Sequence, residues 1–172
     1  TTETATAEEV AREVGSSDIA YVQVEAVLAQ CDLFLNEGAA LQEKTQKAQK
    51  SWAQKEQNLQ AEAAQLQEKY QKGLITTNDA QAQQQSIEKR VASYQSSAQK
   101  EAQALDEENY VFTNRAQDLL HRAVQEINGD KKYKLIINAT ALIDADSTLN
   151  ITPAVLAKVN ELYAADKKAV KK

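Results

Sequence analysis

The segment Lys72-Gly73-Leu74-Ile75-Thr76-Thr77-Asn78-Asp79 decides how the chain is read, because it interrupts an otherwise unbroken helical pattern. Between Gly38 and Gly129 lie 90 residues with one glycine and no proline, rich in Gln, Ala, Lys and Glu. Those residue types are strong helix formers. Sixteen of the 62 residues from Gln42 to Gln103 are glutamine, which alone would suit a low-complexity segment. Periodicity decides otherwise. Trp52, Leu59 and Leu66 stand seven apart, with Thr45 one step before and Gly73 one step after. Val91, Ala98, Leu105, Phe112 and Leu119 repeat the spacing on the far side. Leu41, Ala48, Ala63 and Tyr70 accompany the first series, and Ile87 and Tyr94 the second. A seven-residue apolar repeat makes one slowly winding seam on a helix, the signature of coiled coils.

Gly73 suits the left-handed position that ends a helix. Thr76 or Thr77 suits the cap of the next one, with Asp79 in its first turn. A short connection between two seamed helices makes them antiparallel neighbours. A helix of about 35 residues reaches about 50 Å, so the middle of the chain reads as a two-helix arm. Its seam is thin, since Lys55, Glu62, Glu101 and Glu108 occupy core-register positions. A flexible arm is expected.

The two ends read differently. Asp18 to Val24 is a strand pattern, followed by a short helix from about Ala26 to Asn36. Tyr133 to Ala139 is a buried, β-branched strand behind the breaker Asn128-Gly129-Asp130. Thr140 to Ile143 either continues it or bends away, and Leu149-Asn150-Ile151 is a short extended piece. Thr152 then caps a last helix with Pro153 at its first position. Val155, Leu156, Val159, Leu162 and Tyr163 give that helix an apolar face. The expected layout is a polar leader over 1–17, a β-rich body from 18–38 and 129–165, an arm over 39–128, and a basic tail over 166–172. The class is mostly α with a small β portion.

Composition closes off other folds. The chain of 172 residues has four glycines and one proline, where average usage predicts about twelve and about nine. Glycine-rich sheets and phosphate loops are nearly excluded, and no Gly-rich nucleotide loop is present. Residues 1–38 carry eight acids and one base, 39–128 twelve and eleven, and 129–172 five and eight. The net charge of −5, without a basic stripe, argues against nucleic acid. No run of 18 apolar residues is present to span a bilayer. Thr1 in place of Met indicates a processed or trimmed amino end, so any signal segment would precede it. Cys31, beside Leu28, Leu33 and Leu35, reads as a buried thiol rather than a reactive one. His121, among Leu119, Leu120 and Val124, reads as a partly exposed helix histidine. With one Cys and one His, no catalytic, cofactor or metal site is expected, and the chain is not read as an enzyme.

A two- or three-stranded sheet with open edges is too small to stand alone. The simplest remedy is a homo-oligomer whose strands close a common barrel. The interface then falls on Ile19, Tyr21, Val22, Val24, Leu135, Ile136, Ile137 and Ile151.

At this point the layout resembles the Skp/OmpH family of periplasmic chaperones. The likeness rests on Ile19-Ala20-Tyr21-Val22-Gln23-Val24-Glu25-Ala26-Val27-Leu28, on the Gln/Lys/Glu-rich hairpin with its Gly73-Leu74-Ile75 tip, and on Tyr133 to Leu142 followed by Asn150-Ile151-Thr152-Pro153. It covers about 19–163. It implies a trimer with a β-barrel body and three helical tentacles, holding unfolded outer-membrane proteins without ATP in the periplasm. Two features depart from the family. Its well-studied members are basic, and they lack an acidic leader like 1–17. No lipopolysaccharide site is carried over, and the sequence leaves membrane contact and a lipid anchor upstream of residue 1 open.

Function is then expected in surfaces. Leu74 and Ile75 either staple the hairpin end or, with Tyr70, grip a client. Lys89, Arg90 and Lys100, like Asp106-Glu107-Glu108, read as solvated faces. The sequence leaves two rival readings. A prefoldin-like protein also has arms on a barrel, but with its helices at the chain ends. A structural coiled-coil adaptor or spacer would bind a folded partner.

Overall fold

The computed structural model describes residues 18–171, so the leader expected over 1–17 lies outside the described residues. Contacts divide the chain into two compact units. One comprises 18–40 with 111–171, and the other comprises 41–110. The elements are β1 (Ile19–Val22), α1 (Val24–Gln30), α2 (Ala39–Gln71), α3 (Thr77–Ile127), β2 (Leu135–Asn138) and α4 (Thr152–Val170).

In the first unit β1 and β2 pair in parallel, with Ile19 opposite Leu135 and Val22 opposite Asn138. Strand alternation turns Ala20 and Val22 inward, where both are buried, and Ile19 outward. Beneath them pack Val27, Cys31 and Leu33, then Leu119 and Ala123 of α3, Tyr133, and Ile151, Val155, Val159, Leu162 and Tyr163. The apolar face expected of the last helix is this core's floor. Cys31 is free and buried, as its neighbours suggest. The sheet is completed by a single bridge from Tyr21 to Asn150, where Ile151 N–H donates to the Tyr21 carbonyl at 3.0 Å.

Several local expectations are corrected. The helix expected to run to Asn36 breaks at Cys31, whose backbone is extended, while Asp32 N–H donates to Asn160 Oδ1 at 2.8 Å. The chain then turns helical again and passes through one turn of π-helix, Phe34–Gly38, into α2. Gly38 therefore continues helical backbone into α2. A Cβ there would stand 2.9 Å from Phe112 Cζ and 3.1 Å from the Phe34 ring. In the turn after α3, at the expected breaker, the left-handed residue is Lys131 at φ 54°. Asn128 locks that turn by a reciprocal pair with the Tyr133 backbone, each bond 3.0 Å. Thr140 does not extend the sheet, because residues Ala139–Ala141 form a 3₁₀ turn capped by Asn138. Thr152 lies inside α4, and its hydroxyl accepts from Gln23 N–H at 2.9 Å rather than capping its own helix. Residues 166–170, expected as tail, continue α4.

The second unit is the hairpin. Gly73 takes φ 68°, and the Leu74 N–H reaches the Lys69 carbonyl while Gly73 N–H reaches Tyr70, both at 3.0 Å. That pair of bonds is the Schellman closure of α2. Thr76 Oγ1 then accepts from Asp79 N–H at 3.1 Å and caps α3. The helices run antiparallel. Lys44 pairs with Glu108 at 2.6 Å, Trp52 Nε1 donates to Glu101 at 2.6 Å, and Arg90 donates to Glu62 at 2.8 Å. Ala48, Leu66, Ile87 and Leu105 are buried in the seam, and Trp52, Leu59, Val91, Tyr94 and Ala98 are half-buried.

The acids expected in the seam register explain its thinness. Glu62, Glu101 and Glu108 each take a donor from the opposite helix, so Arg90 and Glu108 pair across the hairpin while standing on its solvated face. Phe112 and Leu119, expected as arm seam, belong instead to the first unit, where Leu119 is core and Phe112 packs against it.

Candidate functional site

The tip follows from the capping just described. Closing α2 on Gly73 leaves Leu74 outside both helices, and its side chain is 69% exposed. Tyr70, one turn earlier, is 49% exposed, while Ile75 is half-buried. Of the three residues expected to grip a client, two stand in solvent and one is partly tucked in. Ile75 is thus the more covered of the two neighbours and Leu74 the more exposed.

Below the tip an open groove of about 990 Å³ runs between the helices. Ala63, Ala64, Leu66, Gln67 and Tyr70 line it from α2, and Thr77, Ala80, Gln81, Gln84, Gln85 and Glu88 from α3. Tyr70 joins the tip to this groove. Sequence reasoning missed Ala80, Gln81 and Gln84. The available signal was small or amide residues at seam spacing, too short to fill the space between helices. The wall has apolar floor and amide edges, with one charged residue, Glu88. Such a surface offers many weak, non-directional contacts.

In the first unit, Ile19 is 44% and Leu135 51% exposed, on neighbouring strands. Tyr21, Val24, Ile136 and Ile137 are half-buried. Val22 and Ile151, grouped with them from sequence, are buried in the chain's own core. They support the sheet from beneath, Val22 by strand alternation, which turns it to the side opposite Ile19, and Ile151 from the start of α4. A second groove, about 380 Å³, lies beside the sheet, lined by Val22, Val24, Gln117, Leu120, His121, Val124, Ile136, Ile137 and Asn138. His121 is exposed at its wall.

Electrostatics in this unit centre on Arg122, whose guanidinium donates to both Asp166 oxygens at 2.8 and 3.1 Å. Those hydrogen bonds hold the Asp166 carboxyl below the usual range and raise the guanidinium further. Glu37, in the π turn, accepts from Arg115 and from the Tyr163 hydroxyl at 3.2 Å. In the hairpin, the hydrogen bond from Arg90 likewise lowers Glu62. Among the described residues no three His, Cys, Asp or Glu side chains are grouped to hold a metal ion. No helix among them is long and apolar enough to cross a membrane.

A seamed helical hairpin whose sequence falls between two parallel strands defines the class of protein to which this fold belongs. The chain belongs to the OmpH-like outer membrane protein family, whose model matches residues 18–159. Among solved structures it is similar to a candidate OmpH-like outer membrane chaperone from Caulobacter crescentus CB15. That likeness has a TM-score of 0.72 at 16% identity and covers 86% of each chain. No curated protein sequence matches the chain.

Proposed function

We propose that this protein is an ATP-independent holdase chaperone of the periplasm, which binds unfolded outer-membrane proteins and keeps them from aggregating. Family membership supports a place in outer-membrane protein handling, and the similar Caulobacter structure is itself described as a candidate chaperone. The observation that carries the reading is the hairpin tip. Tyr70 and Leu74 stand in solvent above an open groove of alanine and glutamine, so apolar area is offered without a shaped pocket. A holdase needs such a surface, because contacts that are individually weak retain a client and still release it.

In this reading three copies join through their sheets, with Ile19, Tyr21, Val24, Leu135, Ile136 and Ile137 at the junction. The arms of the trimer then enclose a shared cavity. Apolar side chains on short, open strands are what strand addition would cover. The adaptor alternative is less well supported, since cross-hairpin pairs at Lys44, Trp52 and Arg90 already engage the face a partner helix would need.

The test is dilution of an unfolded outer-membrane barrel protein from urea into buffer without nucleotide. One trimer per client should abolish its light scattering, and Leu74→Ser with Tyr70→Ser should weaken that protection several-fold. Unchanged scattering in the presence of the wild-type chain would sink the holdase reading. An adaptor would give no protection and would select one folded partner.

A further inference from the structure

Of the nine asparagines in the chain, only Asn128 is followed by glycine. That step is chemically vulnerable in an unfolded chain, because Gly129 has no side chain to shield its backbone nitrogen from the asparagine carboxamide. When the nitrogen loses its proton and attacks Asn128 Cγ, an N–C bond forms, the Cγ–Nδ2 bond breaks, and ammonia leaves. Water then opens the five-membered imide at one carbonyl or the other, giving aspartate or isoaspartate. One water is consumed, one ammonia is released, and nothing is oxidised or reduced.

The fold withholds both reacting groups. Asn128 N–H donates to the Val124 carbonyl at 3.0 Å, which holds the residue against the end of α3. Its side chain is pinned twice: Nδ2 donates to the Tyr133 carbonyl and Oδ1 accepts from the Tyr133 N–H, each at 3.0 Å. Gly129 N–H donates to the Glu126 carbonyl at 3.2 Å, so the nucleophile keeps its proton and faces the helix. Tyr133 is itself part of the body's core. The carboxamide is therefore freed when Tyr133 leaves that core. The turn also carries strain that favours opening, because Lys131 takes φ 54°, a left-handed backbone unfavourable for lysine.

We propose that Asn128–Gly129 is a deamidation site gated by the body's own fold, closed while the Asn128–Tyr133 pair holds and reactive once it opens. The product cannot restore the lock. Aspartate puts a carboxylate oxygen where Nδ2 donated, facing the Tyr133 carbonyl, and isoaspartate adds a carbon to the backbone. β2 begins two residues beyond Tyr133, so the strand that pairs with β1 loses its lead-in. Opening of the body thus leaves a one-way mark on the chain. The site lies outside the chaperone reading and needs no client.

Peptide mass mapping of the full chain tests it, with isoaspartate located by fragmentation. At pH 8 the folded chain should convert at Asn128 at least ten-fold more slowly than the same chain in guanidinium chloride, since reaction waits on local opening. Gly129→Ala should slow the reaction in guanidinium at least ten-fold, which assigns it to this step. Lys131→Gly relieves the left-handed backbone and should slow conversion of the folded chain. Asp130→Ala removes the bond from Lys132 N–H to Asp130 Oδ1, at 3.2 Å, and should hasten it. Chain converted in guanidinium and returned to buffer should unfold at a lower denaturant concentration than unconverted chain, the Gly129→Ala protein taken through the same cycle serving as control. Folded chain that converts as fast as unfolded chain, or at a rate unmoved by both turn variants, would overturn the gate. An unreactive Asn128 in guanidinium would overturn the site, and equal midpoints for converted and unconverted chain would overturn the unlocking.

Discussion

Gly38 shows how a single atom can be forbidden at a distance. It lies in a π turn, buried, and the space its Cβ would take belongs to the Phe112 ring, which also meets Phe34 at 6.4 Å between centroids. Alanine would gain ~1 kcal/mol of helix propensity there. Overpacking costs ~1–3 kcal/mol, so Gly38→Ala should lose stability, by about 1 kcal/mol in urea unfolding followed by circular dichroism. Adding Phe112→Leu should recover that loss. A stabilised single variant would refute the close-approach account.

Among the described glycines, only Gly73 has a left-handed backbone. Gly38 could not be understood locally, because its reason sits on another helix. The Asp166 carboxyl is a second long-range feature. Arg122 depresses it, so its contribution is present above the ordinary aspartate value of about 3.9 and is lost as pH falls through the folded value. Asp166→Asn should be the less stable protein at pH 7, with the difference closing below about pH 4. A gap that does not narrow at all as the carboxyl is titrated with acid would mean the pair acts through packing rather than charge.

At the scale of elements, the hairpin was the most legible part of the chain. Seven-residue spacing gave both helices, and Gly73 with Thr76 gave the turn, because caps and seams are written in neighbouring residues. The partners of Glu62, Glu101 and Glu108 were not legible, since which charge faces which depends on the register between helices. Those contacts fix that register while adding little apolar burial. Only Ala48, Leu66, Ile87 and Leu105 are buried in the hairpin unit, whereas the body has a cluster extending across both strands and three helices. Local opening free energy follows buried contact. Amides in 41–110 should therefore exchange with deuterium at least ten-fold faster than those of α4 around Val155 and Val159. Equal protection in both units would show the hairpin to be as cooperative as the body.

For the whole molecule, the charge distribution separates this chain from a chaperone that works by attraction. Between 41 and 110 nine bases face ten acids, and many are paired with each other. A near-neutral surface draws no charged client from afar, and salt has little to screen. If the protein is the holdase proposed above, its suppression of client aggregation should change less than two-fold between 20 and 300 mM NaCl. A steep loss with salt would mean that local patches such as Lys89 and Lys100 contribute. The strands were located from sequence, but their parallel pairing was not, because it depends on which way the chain returns after an excursion of many residues.

That excursion has a consequence for how the protein is made. Asp18 and Lys134, which join at the edge of the sheet, are 116 residues apart in the chain. A polypeptide delivered amino end first thus presents β1 long before its partner exists. The hairpin resolves the delay, because zipping α2 against α3 is a local event that brings Lys44 to Glu108 and so shortens the loop β2 must close. The arm is in this sense the scaffold on which its own body is assembled. A chain stalled within α3 would leave β1 open, offering a bare strand to whatever else is unfolded nearby.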